Sequence, residues 1–265
     1  MSQPSVRKHP FHIIDPSPWP FVGSVGAFVM AIGAVNFMHG SAPWVLLVGL
    51  AIVLITMFGW WRDVIRESIV DKAHTGAVAH GLRMGMLMFI ASEVMFFVAF
   101  FWAYFHNALL VSPVVEDTWP PPDIVTLGAW GLPFINTIIL VTSGFVLMWG
   151  RKGLDTGDRR RLLIGLGGAI VLGIIFLTLQ MIEYGEAAFA FNDGIYASAF
   201  YMATGFHGFH VFVGVCMLSV MFFRTLAGHF TSEKHIGFES AEWYWHFVDV
   251  VWVFLFIWIY VWVGL

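Results

Sequence analysis

The sequence predicts an all-α integral membrane protein, a bundle of seven transmembrane helices, and three observations carry that reading. Of its 265 residues 59% are hydrophobic and only 11% charged, whereas an ordinary soluble chain carries about a quarter charged residues. Seven apolar runs, roughly 18–38, 43–61, 80–106, 132–150, 161–184, 197–223 and 241–263, are long enough to cross a bilayer as helices. They are far longer than the roughly 9–11 residues of a barrel strand, and only helices or closed barrels can span lipid. All thirteen Lys and Arg residues fall on one side of this seven-span arrangement.

The first run follows seventeen polar and Pro-rich residues and outlasts the apolar core of a secretory signal, so it is expected to remain as a span. Spans one and two read as a hairpin through His39-Gly40-Ser41-Ala42-Pro43, giving a first region over 1–61. A charged link over 62–79 separates it from a five-helix bundle over 80–265.

Span three carries Glu93 in the middle of an uninterrupted apolar stretch. Ten residues of helix place it ~15 Å from Arg83, about half the thickness of a hydrocarbon core. An isolated carboxylate is costly there, so Glu93 is expected to be protonated, paired, or turned toward other helices. Phe89, Phe96, Phe97 and Phe100 surround it at helical spacing, which leaves a Ser, a His or water on a facing helix as its partner. Its role is either a functional carboxyl or a neutral Glu that only bonds a neighbouring helix.

After span three, Thr118-Trp119-Pro120-Pro121-Pro122-Asp123 is too Pro-rich for a helix and predicts a stiff extended connector on the surface. Span five presents Gly165, Ala169 and Gly173 at spacing four, a small-residue face that lets helices approach closely. On span six, His207 and His210 stand three residues apart and share one side of the helix. Such a pair could ligate a metal or haem, or be satisfied by helix-to-helix hydrogen bonds or a lipid headgroup. Cys216 is the single cysteine, which excludes an internal disulfide and any multi-thiolate metal site.

Span seven places Glu239, Glu242, His246 and Asp249 on one helical face. The row could be a proton relay or an interhelical polar seam that, with His207, locks span seven against span six. It stops at Asp249, and a relay confined to this helix would not cross the membrane, so the seam is the favoured reading.

The placement of charge sets a topology. Arg7 and Lys8 precede span one; Arg62, Arg66, Lys72 and Arg83 flank the link between two and three. Arg151, Lys152, Arg159, Arg160 and Arg161 join four to five, and Arg224 and Lys234 join six to seven. The opposite loop over 107–129 carries Glu116, Asp117 and Asp123 instead. By the positive-inside rule the N-terminus is cytoplasmic and the C-terminus faces out.

Near the cytoplasmic plane the residue types suit a phospholipid. Trp60 and Trp61 end span two, where amphipathic rings favour the headgroup level. Arg62, Arg66, Arg83 and Arg224 lie near the same plane, and guanidinium groups bond phosphate bidentately. Glu67 and His74 could complete the polar shell, and Arg224 shares nearly one helical face with His210, which is counted with it. For Arg66 a purely topological role is as good a reading.

Several segments resemble cytochrome c oxidase subunit III: Gly59-Trp60-Trp61-Arg62-Asp63-Val64, Ser92-Glu93-Val94-Met95-Phe96-Phe97, Trp119-Pro120-Pro121, Asn136-Thr137 and Ser143-Gly144. So do Ala203-Thr204-Gly205-Phe206-His207-Gly208, His210-Val211, Gly237-Phe238-Glu239 and, with the highest specificity, the run Trp243-Tyr244-Trp245-His246-Phe247-Val248-Asp249-Val250-Val251-Trp252. The resemblance implies a subunit of a proton-translocating terminal oxidase that itself holds no haem, copper or other metal, those groups lying in catalytic partner subunits I and II. It implies helices one and two splayed from helices three to seven by a V-shaped lipid cleft. It also implies structural phospholipids, support of proton uptake and protection of the catalytic subunit during turnover. Glu93 matches the family's carbodiimide-reactive buried carboxyl. The expected setting is a bacterial plasma membrane with a periplasmic C-terminus, or alternatively a mitochondrial inner membrane. Two other classes are weighed against it. A haem-b carrier would show a Soret band in the isolated chain; a retinal protein needs a Schiff-base lysine, and span seven has none. A transporter would show paired Gly/Pro-broken spans, which are not evident.

Overall fold

The structure, a computed structural model, describes residues 11, 16–110 and 118–264. Arg7, Lys8, Glu116 and Asp117, which enter the charge argument, lie outside the described residues. Seven α-helices are present, with no strand among the described residues: α1 Trp19–Met38, α2 Trp44–Ile69, α3 Gly76–Leu109, α4 Leu132–Thr156, α5 Arg159–Glu186, α6 Ile195–Leu226 and α7 Ile236–Leu255. All seven are long and apolar enough to cross a membrane, so the expected all-helical, seven-span architecture holds. The helices outrun the apolar segments, because hydrophobicity measures the hydrocarbon crossing while the backbone ladder continues into the polar zone. Most of the 62–79 link is therefore helix: α2 runs to Ile69 and α3 starts at Gly76.

The chain divides into two compact units, Met1–Leu82 and Arg83–Leu265, with the boundary inside α3. In the first unit α1 and α2 form the hairpin. They meet through glycine: Gly33 lies against the backbone of Leu46, Gly49 against Met30 and Gly26 against Ile52, where any side chain would collide. Gly59 leaves room for the Trp19 ring, whose indole N–H donates to Asp63 Oδ2 at 2.6 Å.

In the second unit α4, α5, α6 and α7 close a ring, each packing on the next and α7 returning to α4. Gly150 of α4 and Gly165 of α5 touch backbone to backbone. Trp245 fills the ring interior: it abuts Gly173 of α5 and Gly214 of α6 and donates its indole N–H to Ser143 Oγ of α4 at 2.9 Å. Seven residues on, Trp252 does the same, donating to Thr137 Oγ1 at 2.9 Å and packing on Phe176 and His207. The small-residue face of α5 thus serves packing. Beyond Leu255 the helix widens into a π-helical turn, Phe256–Val261, and ends in a short 3-10 turn.

From Arg83 onward α3 lies parallel to α7 on the outside of this ring, through Phe89 on Tyr244, Phe97 on Phe247, Phe101 on Phe254 and Phe105 on Trp258. The proline-rich connector is less superficial than expected. Trp119 is half-buried with its ring edge-on to Tyr104 and Tyr196, because an indole gains more by covering aromatic surface than by exposure.

Candidate functional site

The polar residues singled out from the sequence separate into three places in the second unit and one in the first. At the centre is Glu93. Its Oε2 lies 2.7 Å from His210 Nε2 of α6, while His210 Nδ1 lies 2.6 Å from the Phe206 carbonyl oxygen. A carbonyl only accepts, so Nδ1 carries a hydrogen. One further proton then lies between Nε2 and Glu93, as a neutral acid facing a neutral imidazole or as a carboxylate facing imidazolium. Phe96 and Phe97 cover the ring, with centroids 5.8 and 4.9 Å from it. The partner expected on a facing helix is thus a histidine, and both its ring nitrogens are engaged within the chain, although His210 also counts among the expected headgroup ligands.

The acidic face of α7 forms the second place. Arg83 Nε of α3 donates to Glu239 Oε2 at 2.9 Å, and Arg151 of α4 pairs with Glu242. His246 Nδ1 stands 3.3 Å from Asp249 Oδ2 within α7, and Asp249 also borders Gly144 of α4. The seam therefore joins α7 to α3 and α4, whereas locking against α6 was expected. The reason is chemical: the carboxylates need cations, α3 and α4 supply them at matching depth, and the one arginine of α6, Arg224, stands at its end. His207 takes no part in the seam. It is fully buried, 5.1 Å from the Trp252 ring and flanked by Phe97 and Phe176.

Arg224 marks the third place. Its guanidinium carbon stands 4.6 Å from the Phe230 ring centroid and Nη1 lies 3.9 Å from Met221 Sδ, with Gly237 of α7 leaving the space it occupies. It is half-buried, and among the described residues no carboxylate pairs with it. His229 lies just beyond α6, and burial together with the Arg224 charge holds its imidazole below the ordinary 6.5. In the first unit Trp60 and Trp61 are exposed about two turns before the end of α2, and Arg62 pairs with its neighbour Asp63 at 3.1 Å. Glu67 and His74 both interact within the chain, close to the α2–α3 connection.

Sequence reasoning missed the polar interior of the ring. Gln180 and Glu183 of α5 are 3% and 1% exposed, and Glu183 Oε1 accepts from Tyr260 O–H at 2.6 Å and from Gln180 Nε2 at 3.3 Å. Their position near the end of a span reads as interfacial in sequence. Only the π-helical turn, which brings Tyr260 inward, reveals them as core.

The family description matching this chain is Cytochrome c oxidase subunit III, over residues 9–264. Among curated proteins, the chain is 51% identical over 262 residues to "Cytochrome c oxidase subunit 3" of Chondrus crispus, covering 98% of this chain and 96% of that protein. The proteins of the same name from Marchantia polymorpha and Bos taurus are 50% and 48% identical, over 260 and 256 residues. Each of these alignments covers 97% of this chain and 98% of the relative.

Proposed function

The chain belongs to the cytochrome c oxidase subunit III family, and on that premise we propose that it is the non-redox, lipid-binding subunit of the oxidase. In this reading it supports proton uptake and protects the catalytic subunit while oxygen is reduced to water. Haem and copper reside in partner subunits I and II, and this chain brings structural phospholipid. The observation that carries the lipid role is Arg224: a half-buried guanidinium without a carboxylate partner among the described residues, at the helix end where headgroups lie. A phosphate there would gain charge-assisted hydrogen bonds, on the order of 1.5–3 kcal/mol each before screening. The exposed Trp60 and Trp61 rings of the first unit suit the headgroup level, and Arg62 and Arg83, each also paired with a carboxylate, carry the same guanidinium group. Glu67 and His74 would join them through headgroup contacts.

The state of the histidines supports a chain without its own redox centre. Both nitrogens of His210 are used, and His207 is enclosed by aromatic rings that fill the space a porphyrin would need. Glu93 is then a structural carboxyl, sharing one proton with His210, and a site open to carbodiimide. The favoured setting is a bacterial plasma membrane with the N-terminus cytoplasmic and the C-terminus periplasmic. A mitochondrial inner membrane is the second reading, favoured by the eukaryotic sources of the relatives above.

Arg224→Ala tests the lipid role. The variant oxidase should purify with less phospholipid and a shorter working life, its haem spectra unchanged. Lipid content by mass spectrometry equal to that of the unaltered enzyme would refute the assignment.

A further inference from the structure

The interior of the α4–α7 ring holds polar groups that no described residue satisfies. Asn136 of α4 is fully buried, and neither its amide nitrogen nor its oxygen has a partner. The same is true of both ring nitrogens of His207 on α6, of Gln180 Oε1 and of Glu183 Oε2 on α5. These groups lie close in depth. α4 and α5 are antiparallel with Gly150 against Gly165, and counting the same number of residues from that crossing along both helices brings Asn136 level with Leu179 and Gln180. Thr137, next to Asn136, accepts from Trp252, and Trp252 stacks on His207. Glu183 follows Gln180 by one turn and is reached by Tyr260 from the π-helical segment. Unsatisfied groups from α4, α5 and α6 therefore face the same enclosed core.

We propose that this interior is a binding site for ordered water, a short internal chain anchored by Asn136, His207, Gln180 and Glu183. The ligand class follows from the mixture of groups. Asn136 brings two N–H donors and an acceptor, neutral His207 one of each, Gln180 Oε1 only accepts, and Glu183 Oε2 accepts and, when protonated, can donate. A cation would satisfy the oxygens and strand the N–H groups; an anion would do the reverse. Water both donates and accepts, and buried waters in proteins characteristically complete two to four otherwise unsatisfied groups. The site is distinct from the Glu93–His210 pair, which lies on the α3 side of α6, and from the Arg83 and Arg151 seam on α7. Its consequence is structural and electrostatic: the water ties α4, α5 and α6 together beside Trp252 and Tyr260.

Hydroxyl radicals generated from water by an X-ray pulse label side chains that touch it, which provides the test. The intact oxidase is irradiated in isotopically heavy-oxygen water and this chain is mapped by mass spectrometry. Label is expected on the buried Trp252, Phe176 or Tyr260, and absent from Trp245, equally buried but wedged against Gly173 and Gly214, about two helical turns from Gln180. Asn136→Leu should reduce the Trp252 and Phe176 label several-fold, and Gln180→Met, of similar volume, serves in the same way if the first variant fails to assemble. An unlabelled interior in the unaltered oxidase overturns the proposal. So does labelling of Trp245 to the same extent, or a signal that both assembled variants leave unchanged. The thermal midpoint gives an independent reading: filling a dry site with an apolar side chain would leave it level or raised, whereas displacing bound water lowers it.

Discussion

Glu93 and His210 carry the most information at the level of single residues, because the Phe206 carbonyl fixes which ring nitrogen bears hydrogen. With Nδ1 committed, Nε2 can accept from an amide as readily as from a carboxyl. Glu93→Gln should keep this bond, assemble normally and retain most electron transfer, while carbodiimide labelling at the site disappears. Loss of oxygen reduction in an assembled, lipid-replete Gln variant would make Glu93 an obligatory proton carrier. Glu93→Ala strips the partner instead and should cost about 1–3 kcal/mol of stability, the penalty of an unsatisfied buried group, visible as a lower thermal midpoint. The carboxyl and the need for a partner were both legible in the sequence; which histidine answered was not, since two on one helix face are equivalent until the facing helix is placed. His229 makes a pH prediction. Burial and the Arg224 charge favour its neutral form in the folded chain, so the unfolded chain takes up more protons as pH falls through 6.5. Its contribution is present above that value and lost below it. Midpoints measured between about pH 5 and 8 should show a shallower acid decline in His229→Gln than in the unaltered oxidase.

Among the helices, glycine decides how closely neighbours approach. A side chain at Gly165 would occupy the position of the Gly150 backbone, so Gly165→Leu should force α4 and α5 apart and cost about 1–3 kcal/mol or more. Assembly yield would fall accordingly. Gly167→Ala is the contrast: its nearest neighbour is Phe222 at 3.6 Å, and relief of backbone entropy should leave stability level or raised by about 0.5–1 kcal/mol. The number of helices and their apolar cores were readable from hydropathy, because lipid imposes a minimum length. Their ends were not. Arg62–Ile69 is helical although rich in charge, and Gly76–Ala79 is helical ahead of the predicted span, since composition marks the hydrocarbon boundary and says nothing about where hydrogen bonding stops. The acidic face of α7 was legible from spacing alone, yet its partners on α3 and α4 depend on tertiary placement that no single helix encodes. The π-helical turn at Phe256–Val261 has no signature in a run of aromatic and aliphatic residues.

For the whole molecule, the seven spans and the family membership make the chain a membrane-embedded member of the oxidase subunit III family, and the role proposed for it is to hold the complex in order. Several titratable groups of the second unit are paired with one another: Arg83 with Glu239, Arg151 with Glu242, His210 with Glu93. That arrangement suits a scaffold more than a path for charge. The time course of oxygen reduction by the oxidase, with and without this chain, tests that claim most directly when haem content is confirmed in both preparations. Equal haem and equal initial rates are expected, followed by progressive loss of activity only in the enzyme lacking the chain. Loss of haem together with collapse of the initial rate on removing the chain would contradict it.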